Sequence, residues 1–205
     1  MTKLCLLGGL ALSIAAAQSL TVVNPNFSAV AVQCSGGYAY ESYMGRGCAA
    51  PPAPEQDFNA APGIGWTFVP ADPHSIGEDG ITAPGTAFNP PSFTGLPFTY
   101  AAFLQGPASI VYQNIDGFLP GRYQLSFYLG SRYGSGSVSG GNETVLVTLD
   151  EQLIGVWPLA SRTPFTLRTV TFNVSTSGAH MLTFRGASAG GETAFFSGVS
   201  IAAAQ

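Results

Sequence analysis

From residue 121 to the C-terminus, apolar and polar side chains alternate with a period of two, and this pattern limits the possible folds more than any other feature. Residues 123–129 show it clearly, because every odd-numbered position there is apolar or aromatic. Similar runs follow at 145–149, 170–174 and 181–185. Successive side chains of a strand point to opposite faces, so each run is predicted to be a β-strand with one buried face. The predicted core residues are Tyr123, Leu125, Phe127, Val145, Val147, Leu149, Val170, Phe172, Leu182, Phe184 and Val199.

Turn-forming residues separate these runs at 119–121, 150–152, 177–178 and 189–191. The glycine-rich run 134–141 also joins two strands without opening a helix, and we interpret it as a flexible hairpin loop. Short strands at this spacing predict an all-β fold, an antiparallel β-sandwich. Because sandwiches serve many functions, the pattern predicts the architecture and leaves the activity open.

The first seventeen residues differ in character from the rest of the chain. Lys3 precedes an apolar run from Leu4 to Ile14, and three alanines end at Ala17. This order is typical of a secretory signal peptide, so we expect a signal peptide at 1–17 and one sandwich domain at 18–205. No later stretch reaches the roughly 20 apolar residues of a membrane span. The expected location is secreted, extracellular or at the cell surface.

The charge of the chain argues against two classes of partner. The formal net charge is −4, charged residues make up 9%, and the only lysine is Lys3. Binding to nucleic acid or to an anionic membrane surface draws on clustered cations. The sequence therefore predicts neither partner.

Two features fit an exported chain. Cys34 and Cys48 remain after removal of the signal peptide, and an even pair in an oxidising compartment favours a disulfide. A metal site is the alternative, but neither cysteine has a second cysteine or a histidine close by in sequence. Three sequons, at Asn26, Asn142 and Asn173, would accept N-glycans in a eukaryotic source.

Two irregular regions, 35–65 and 70–97, are predicted to be long loops, which often carry function. The first contains Tyr38, Tyr40 and Tyr43, which either form a stacking surface for sugar rings or cover a sheet edge. The second contains an acidic cluster with one histidine, at 72–79. That cluster either holds a cation, or supplies an acid and a base, or is simply solvated.

The candidate ligand site centres on Arg132, which directly follows a predicted strand. A guanidinium there either anchors neighbouring loops or binds ligand hydroxyls, and both roles stay open. Trp66, at the exit of the first long loop, is the candidate stacking platform, whereas Trp157 is assigned to the core or its rim. His180 is expected to point outward from its strand. The complete set of candidate ligand contacts is Trp66, Gln105, Gln113, Arg132, Tyr133 and, at the periphery, Asp79.

Four motifs follow one another in the middle of the chain: Phe-Leu-Gln-Gly at 103–106, Ser-Ile-Val-Tyr-Gln at 109–113, Pro-Gly-Arg-Tyr-Gln-Leu-Ser-Phe at 120–127 and Ser-Arg at 131–132. Their order resembles a galactose-binding-like β-sandwich family, which occurs in bacterial surface proteins with PEP-CTERM sorting signals and, distantly, in plant cell-wall proteins. The resemblance runs from Tyr100 to Ile201 and implies a jelly roll with a carbohydrate ligand.

The chain departs from that family at one implied site. Many relatives have an aspartate in the last strand where this chain has Ser197, and an acidic residue near the opening motif where it has Asn26 and Ser28. In related carbohydrate-binding modules such ends are tied by calcium. We therefore expect no cofactor, with a structural calcium as the alternative.

These observations lead to one function hypothesis and two alternatives. The hypothesis is a secreted protein, acting without catalysis, that binds extracellular or cell-wall polysaccharide. The first alternative is a structural or adhesion protein without a sugar pocket. The second is a glycan-acting enzyme that uses the 72–79 cluster, although no common catalytic motif is present in the sequence.

Overall fold

The computed structural model describes residues 19–28, 38–42, 63–70, 76–86, 88–134, 142–188 and 192–204, with the backbone alone for 38–42 and 76–78. Its regular secondary structure is entirely β. The strands are β1 (Ser19–Leu20), β2 (Tyr38–Ser42), β3 (Thr67–Val69), β4 (Ile76–Thr82), β5 (Ala101–Gln105), β6 (Ile110–Phe118), β7 (Gly121–Ser131), β8 (Glu143–Leu149), β9 (Gln152–Leu159), β10 (Thr166–Val174), β11 (Gly178–Gly186) and β12 (Thr193–Ala203).

The described strands form two antiparallel sheets. The seven-stranded sheet has the order β10-β7-β12-β5-β4-β2, and β1 pairs with β12 beside it. The five-stranded sheet has the order β3-β6-β11-β8-β9. This arrangement confirms the predicted all-β antiparallel sandwich.

The main core lies between the two sheets and is rich in aromatic rings. Phe184 of β11 stacks on Phe196 of β12 with ring centroids 4.1 Å apart, and the ring of Phe127 of β7 lies 5.0 Å from that of Phe184. Contacts between large rings of opposite sheets bury much apolar area and fix the spacing of the sheets. All predicted core residues are buried except Val170, which is half-buried and packs against the edge of the core.

A second apolar cluster covers the outer face of the seven-stranded sheet. Phe103 and Phe195 project from this face, and Phe88, Phe93 and Phe98 of the segment between β4 and β5 cover them. Phe88 lies on Phe103 with ring centroids 4.1 Å apart. The segment is thus held to the sheet by aromatic packing, and its position defines one wall of the candidate site.

Three predictions about connections are corrected by the structure. The run 134–141 does not close a hairpin, because β7 and β8, which it joins, belong to different sheets. Each predicted long loop also contains a strand, β2 in 35–65 and β4 in 70–97. These two strands pair with each other at the edge of the seven-stranded sheet.

Several predictions fall on residues that the structure does not describe. The signal peptide at 1–17, Cys34, Cys48 and Tyr43 lie outside the described residues, as do the first members of the acidic cluster, at 72–75. They remain predictions.

Candidate functional site

The structure places Arg132, Gln105 and Thr193 side by side at one end of the seven-stranded sheet. Thr193 pairs with Gln105 across β12 and β5, and Arg132 donates its backbone N–H to the Thr193 carbonyl oxygen at 2.9 Å. Directly opposed residues of an antiparallel pair project from the same face. Their side chains accordingly meet on the outer face of the sheet, away from the main core.

Gln105 Oε1 is the shared acceptor of this group. It accepts a hydrogen bond from the Thr193 hydroxyl at 3.1 Å and one from Nη1 of Arg132 at 3.4 Å. The Arg132 guanidinium also lies 5.6 Å from the centre of the Phe88 ring, within cation–π range. These contacts hold the Arg132 guanidinium and the Gln105 amide in place, so the polar part of the site does not depend on a ligand for its arrangement.

The group is named the Arg132 corner and consists of Arg132, Gln105, Thr193, Phe88 and Tyr133. Arg132 is largely buried, with 9% of its surface exposed, and this burial lowers the pKa of its guanidinium. An arginine nevertheless stays charged at ordinary pH, because its unperturbed pKa is far above neutrality. Tyr133 is the exposed aromatic member, with 37% of its surface accessible.

The backbone beneath the corner is held from two sides. Ser131 exchanges hydrogen bonds with the segment after β9, since its hydroxyl donates to the Ala160 carbonyl oxygen at 2.6 Å and accepts the Thr163 N–H at 2.8 Å. On the other side, Tyr133 donates its N–H to the Asn89 carbonyl oxygen at 3.0 Å. Arg132 and Tyr133 therefore project from a fixed stretch of chain.

Trp66 does not belong to this site, and its assignment as a stacking platform is corrected. Only 1% of its surface is exposed, and its ring packs between those of Phe27, at 5.3 Å, and Phe184, at 6.1 Å. The indole N–H donates to the Asn24 carbonyl oxygen at 3.1 Å. A stacking platform needs an exposed ring face, and Trp66 offers none.

Gln113 is likewise a structural residue. It is 4% exposed, and its amide forms hydrogen bonds with Val23 N at 2.8 Å, Val23 O at 2.9 Å and Gly65 O at 2.8 Å. These bonds join β6 to the segment that follows β1 and to the segment that precedes β3. Its alternation with Val111 and Ile115, both buried, was the sequence signal that indicated an inward position.

Asp79 also lies away from the Arg132 corner. It is fully buried in β4 and directly opposite Leu104 of β5, whose side chain belongs to the main core. Asp79 therefore faces the space between the sheets, while Gln105, the next residue after Leu104, faces outward. Of the six candidate contacts, Gln105 and Arg132 are in contact and Tyr133 directly follows Arg132 in the chain, whereas Trp66, Gln113 and Asp79 lie elsewhere.

His180 is buried rather than exposed, which corrects its predicted orientation. It is 8% exposed, with Nδ1 against Asp150 Oδ2 and Nε2 3.0 Å from the Thr176 carbonyl oxygen. The hydrogen bond with Asp150 raises the pKa of His180. For Asp150, burial opposes ionisation, but hydrogen bonds from Met181 N–H and His180 outweigh it and lower the pKa. His180 shares the inward register of Leu182 and Phe184, a signal that the sequence already contained.

Glu143, at the start of β8, is a buried acid that sequence reasoning missed. Its Oε1 accepts the backbone N–H groups of Thr144 at 2.7 Å, Ala187 at 3.2 Å and Ser188 at 3.0 Å. Burial raises the pKa of its carboxyl, although the hydrogen bonds from those amides act in the opposite sense. Glu143 therefore joins β8 to the segment that leaves β11.

The described residues contain neither a cluster of metal ligands nor a membrane-spanning helix. No three His, Cys, Asp or Glu side chains among them are placed to hold a metal ion. Ser197, where relatives carry an aspartate, is fully buried and donates its hydroxyl to the Tyr100 carbonyl oxygen at 2.8 Å. None of these residues forms a helix long and apolar enough to cross a membrane.

Comparison with known proteins shows similarity in structure only. No family model matches the chain, and no curated protein matches it in sequence. A cyclase from Fischerella sp. TAU aligns with a TM-score of 0.60 at 16% identity, over 92% of this chain and 98% of the cyclase. A Stig cyclase, Fisc, from the same source aligns with a TM-score of 0.61 at 17% identity over the same shares, in a complex with (3Z)-3-(1-methyl-2-pyrrolidinylidene)-3H-indole.

A carbohydrate-binding module, TmCBM61 in complex with β-1,4-galactotriose, aligns less well. The TM-score is 0.47 at 8% identity, over 66% of this chain and 86% of the module. A TM-score below 0.5 does not establish a shared fold. The β-sandwich part of the family resemblance is confirmed by the strand arrangement itself, whereas membership of the PEP-CTERM-associated family is not shown.

The expectation of a protein without catalysis is corrected by the two cyclases. Both share this architecture over nearly the whole chain, so the fold occurs in enzymes. At 16% and 17% identity the similarity concerns the fold alone and assigns no reaction.

Proposed function

We propose that this chain binds carbohydrate at the Arg132 corner. The observation that carries the proposal is the position of an exposed aromatic ring, Tyr133, directly after a guanidinium that contacts the amide of Gln105. Sugar rings present an apolar C–H face, which stacks on an aromatic ring, and hydroxyl groups, which need hydrogen-bonding partners when they leave water. The corner supplies an aromatic ring, Tyr133, and polar side chains, Arg132 and Gln105, at one end of the sheet.

The expected setting of this binding is outside the cell. The signal peptide at 1–17, a Cys34–Cys48 disulfide and glycans at Asn26, Asn142 and Asn173 belong to this proposal. A low content of charged residues, 9%, fits a surface covered mainly by neutral polar groups. The proposed partner is therefore an extracellular or cell-wall polysaccharide.

A glycan array with the secreted protein tests this function. We expect binding to at least one class of glycan, and Tyr133→Ala should weaken the strongest interaction about tenfold, or 1.4 kcal/mol. Leu119→Ala is the matched control, because Leu119 is another exposed apolar side chain, 54% accessible, at the opposite end of β7. It should leave binding unchanged.

Two results would contradict the proposal. Absence of binding to every glycan on the array would remove the function. Binding that survives Tyr133→Ala and Gln105→Ala unchanged would place the sugar site elsewhere on the molecule.

A structural or adhesion role is the second candidate, and exposed apolar side chains on two edge strands favour it. Leu153 and Val156 of β9 are 54% and 48% accessible, and Leu167 of β10 is 51% accessible. Among the described strands, each of these two pairs with a single neighbour in its sheet. Concentration-dependent self-association in light scattering, abolished by Leu167→Asp, would support this role.

A further inference from the structure

Arg162 lies at the rim of the Arg132 corner. Its backbone N–H donates to the Arg132 carbonyl oxygen at 3.1 Å, and its Nη2 donates to the Gly134 carbonyl oxygen at 3.4 Å. The first contact brings the two arginine backbones together. The second directs the Arg162 guanidinium toward the residue that follows Tyr133.

The two arginines at this corner differ in what they can offer a ligand. Arg132 is engaged with Gln105 and Phe88 and largely buried, so it contributes a fixed charge. Arg162 is exposed. Within the described part of the chain, no carboxylate lies at ion-pairing distance from it. Its guanidinium therefore keeps donors directed to solvent.

This concentration of positive charge is unusual for the chain. Of seven basic residues one is Lys3, which leaves six arginines. Two of these six lie at this corner together with one half-buried acid, Glu192, which directly precedes Thr193, although the net charge of the whole chain is −4. A local cationic rim on an acidic protein selects for anionic groups at short range, while the overall charge disfavours unspecific binding to polyanions.

We propose that the carbohydrate bound at this corner is acidic, and that Arg162 contacts the carboxylate of a uronic acid residue. A guanidinium presents two parallel N–H donors, which match the two oxygens of a carboxylate in a planar arrangement. The sugar ring that carries the carboxylate stacks on Tyr133, and Gln105 and Thr193 lie within the same row of the sheet. This inference rests on the proposed carbohydrate binding.

The experiment compares acidic glycans with their neutral counterparts. The array contains uronate-bearing, sulfated and neutral glycans, and the strongest uronate-bearing hit is measured again after reduction of its carboxyl groups to alcohols. We expect the hits to be uronate-bearing and the reduction to weaken binding at least tenfold. Arg162→Ala should cause a similar loss for the acidic glycan and little change for the reduced one.

Arg122 provides a matched control for Arg162. It is an exposed arginine at the other end of β7, and it too makes one long side-chain hydrogen bond, from Nη2 to the Thr171 hydroxyl at 3.3 Å. Arg122→Ala changes the net charge as Arg162→Ala does but leaves the corner intact. It should leave the affinity for the acidic glycan within about twofold of the parent protein.

Each outcome decides between the two proposals. Neutral or purely sulfated glycans as the only hits would overturn the uronate inference and leave carbohydrate binding in place. Equal losses for Arg162→Ala and Arg122→Ala would also overturn it, because the effect would then follow from net charge. No glycan hit at all would remove both proposals.

Discussion

Gln113 provides the sharpest test of whether a buried polar side chain here serves structure or ligand binding. Its amide is the sole side chain that joins β6 to both the Val23 and the Gly65 backbone among the described residues, through three hydrogen bonds of 2.8, 2.9 and 2.8 Å. Gln113→Ala removes all three. We expect it to lower the free energy of unfolding and to leave glycan binding unchanged.

The magnitude follows from the number of bonds and their exposure. A neutral hydrogen bond contributes about 1 kcal/mol net, and a buried group left without a partner costs about 1 to 3 kcal/mol. Val23 is itself 46% exposed, so water can reach part of the vacated space. The expected loss is therefore about 3 kcal/mol, which lowers the melting temperature of a domain of this size by about 6 to 12 °C.

Gln113→Glu sharpens this test. The charged carboxylate would face two carbonyl oxygens, Val23 O and Gly65 O, that now accept from Nε2. An ionised carboxylate has no hydrogen to donate, so neither carbonyl oxygen would form a hydrogen bond with it. This variant should therefore be less stable than Gln113→Ala at neutral pH. It should recover partly in acid, where the protonated carboxyl donates one hydrogen bond.

Urea denaturation followed by tryptophan fluorescence measures these differences. Gln124→Ala is the control, because Gln124 is exposed and makes one side-chain bond, to the Ser126 hydroxyl at 3.3 Å. It should shift the midpoint little. If Gln113→Ala and Gln124→Ala unfold at the same urea concentration, or if Gln113→Ala weakens glycan binding in a fully folded protein, the structural reading of Gln113 is refuted.

Two further predictions concern the core and the pH dependence of stability. Phe127→Ala should lower the free energy of unfolding by about 3 to 5 kcal/mol in urea denaturation, because the ring is fully buried. Ser126→Ala, on the opposite face of the strand, should lower it little. Equal urea midpoints for the two variants would contradict the assigned strand face. Both ring nitrogens of His180 face oxygen acceptors, Asp150 Oδ2 and Thr176 O, so the protonated ring is favoured and its pKa is raised. The stabilisation by protonated His180 should be complete below about pH 6.5 and be lost as the pH rises through the raised pKa. If a His180→Gln variant keeps the same dependence of stability on pH between pH 5 and 9, this prediction is wrong.

The strands of the second half of the chain could be predicted because a period of two is a local property. Phe127 and Phe184 both lie where the alternation puts them, in the main core. Sheet membership could not be predicted in this way, because it depends on pairings between distant segments. The glycine-rich run 134–141 illustrates the difference, since the sequence does not distinguish a hairpin turn from a crossover between sheets.

The missed strands have a different physical reason. β4 has the sequence Ile-Gly-Glu-Asp-Gly-Ile-Thr, with two glycines and two acids in seven residues. Such residues are depleted in strands, so its composition indicates a loop. Pairing with β5 along four residues overrides this local preference, because the sheet supplies the backbone hydrogen bonds and buries Ile81.

The positions of the polar residues in the strands follow the same alternation as those of the apolar residues. Gln113, Glu143 and His180 each share the register of buried neighbours in their strand, and each is buried with hydrogen-bond partners. A polar residue in an inward register must be satisfied internally, so its first role is structural. Arg132 and Gln105 have the opposite register, because each directly follows an inward position of its strand.

Position along the strand separates Tyr133, which is 37% exposed, from Trp66, which is 1% exposed. Trp66 directly precedes the short strand β3, and the ring of Phe27, from the segment after β1, packs against its indole ring and encloses it. Tyr133 lies beyond the end of β7, where the sheet no longer covers it. The proposed ligand site therefore lies beyond the ends of β7 and β9, where Tyr133 and Arg162 are exposed.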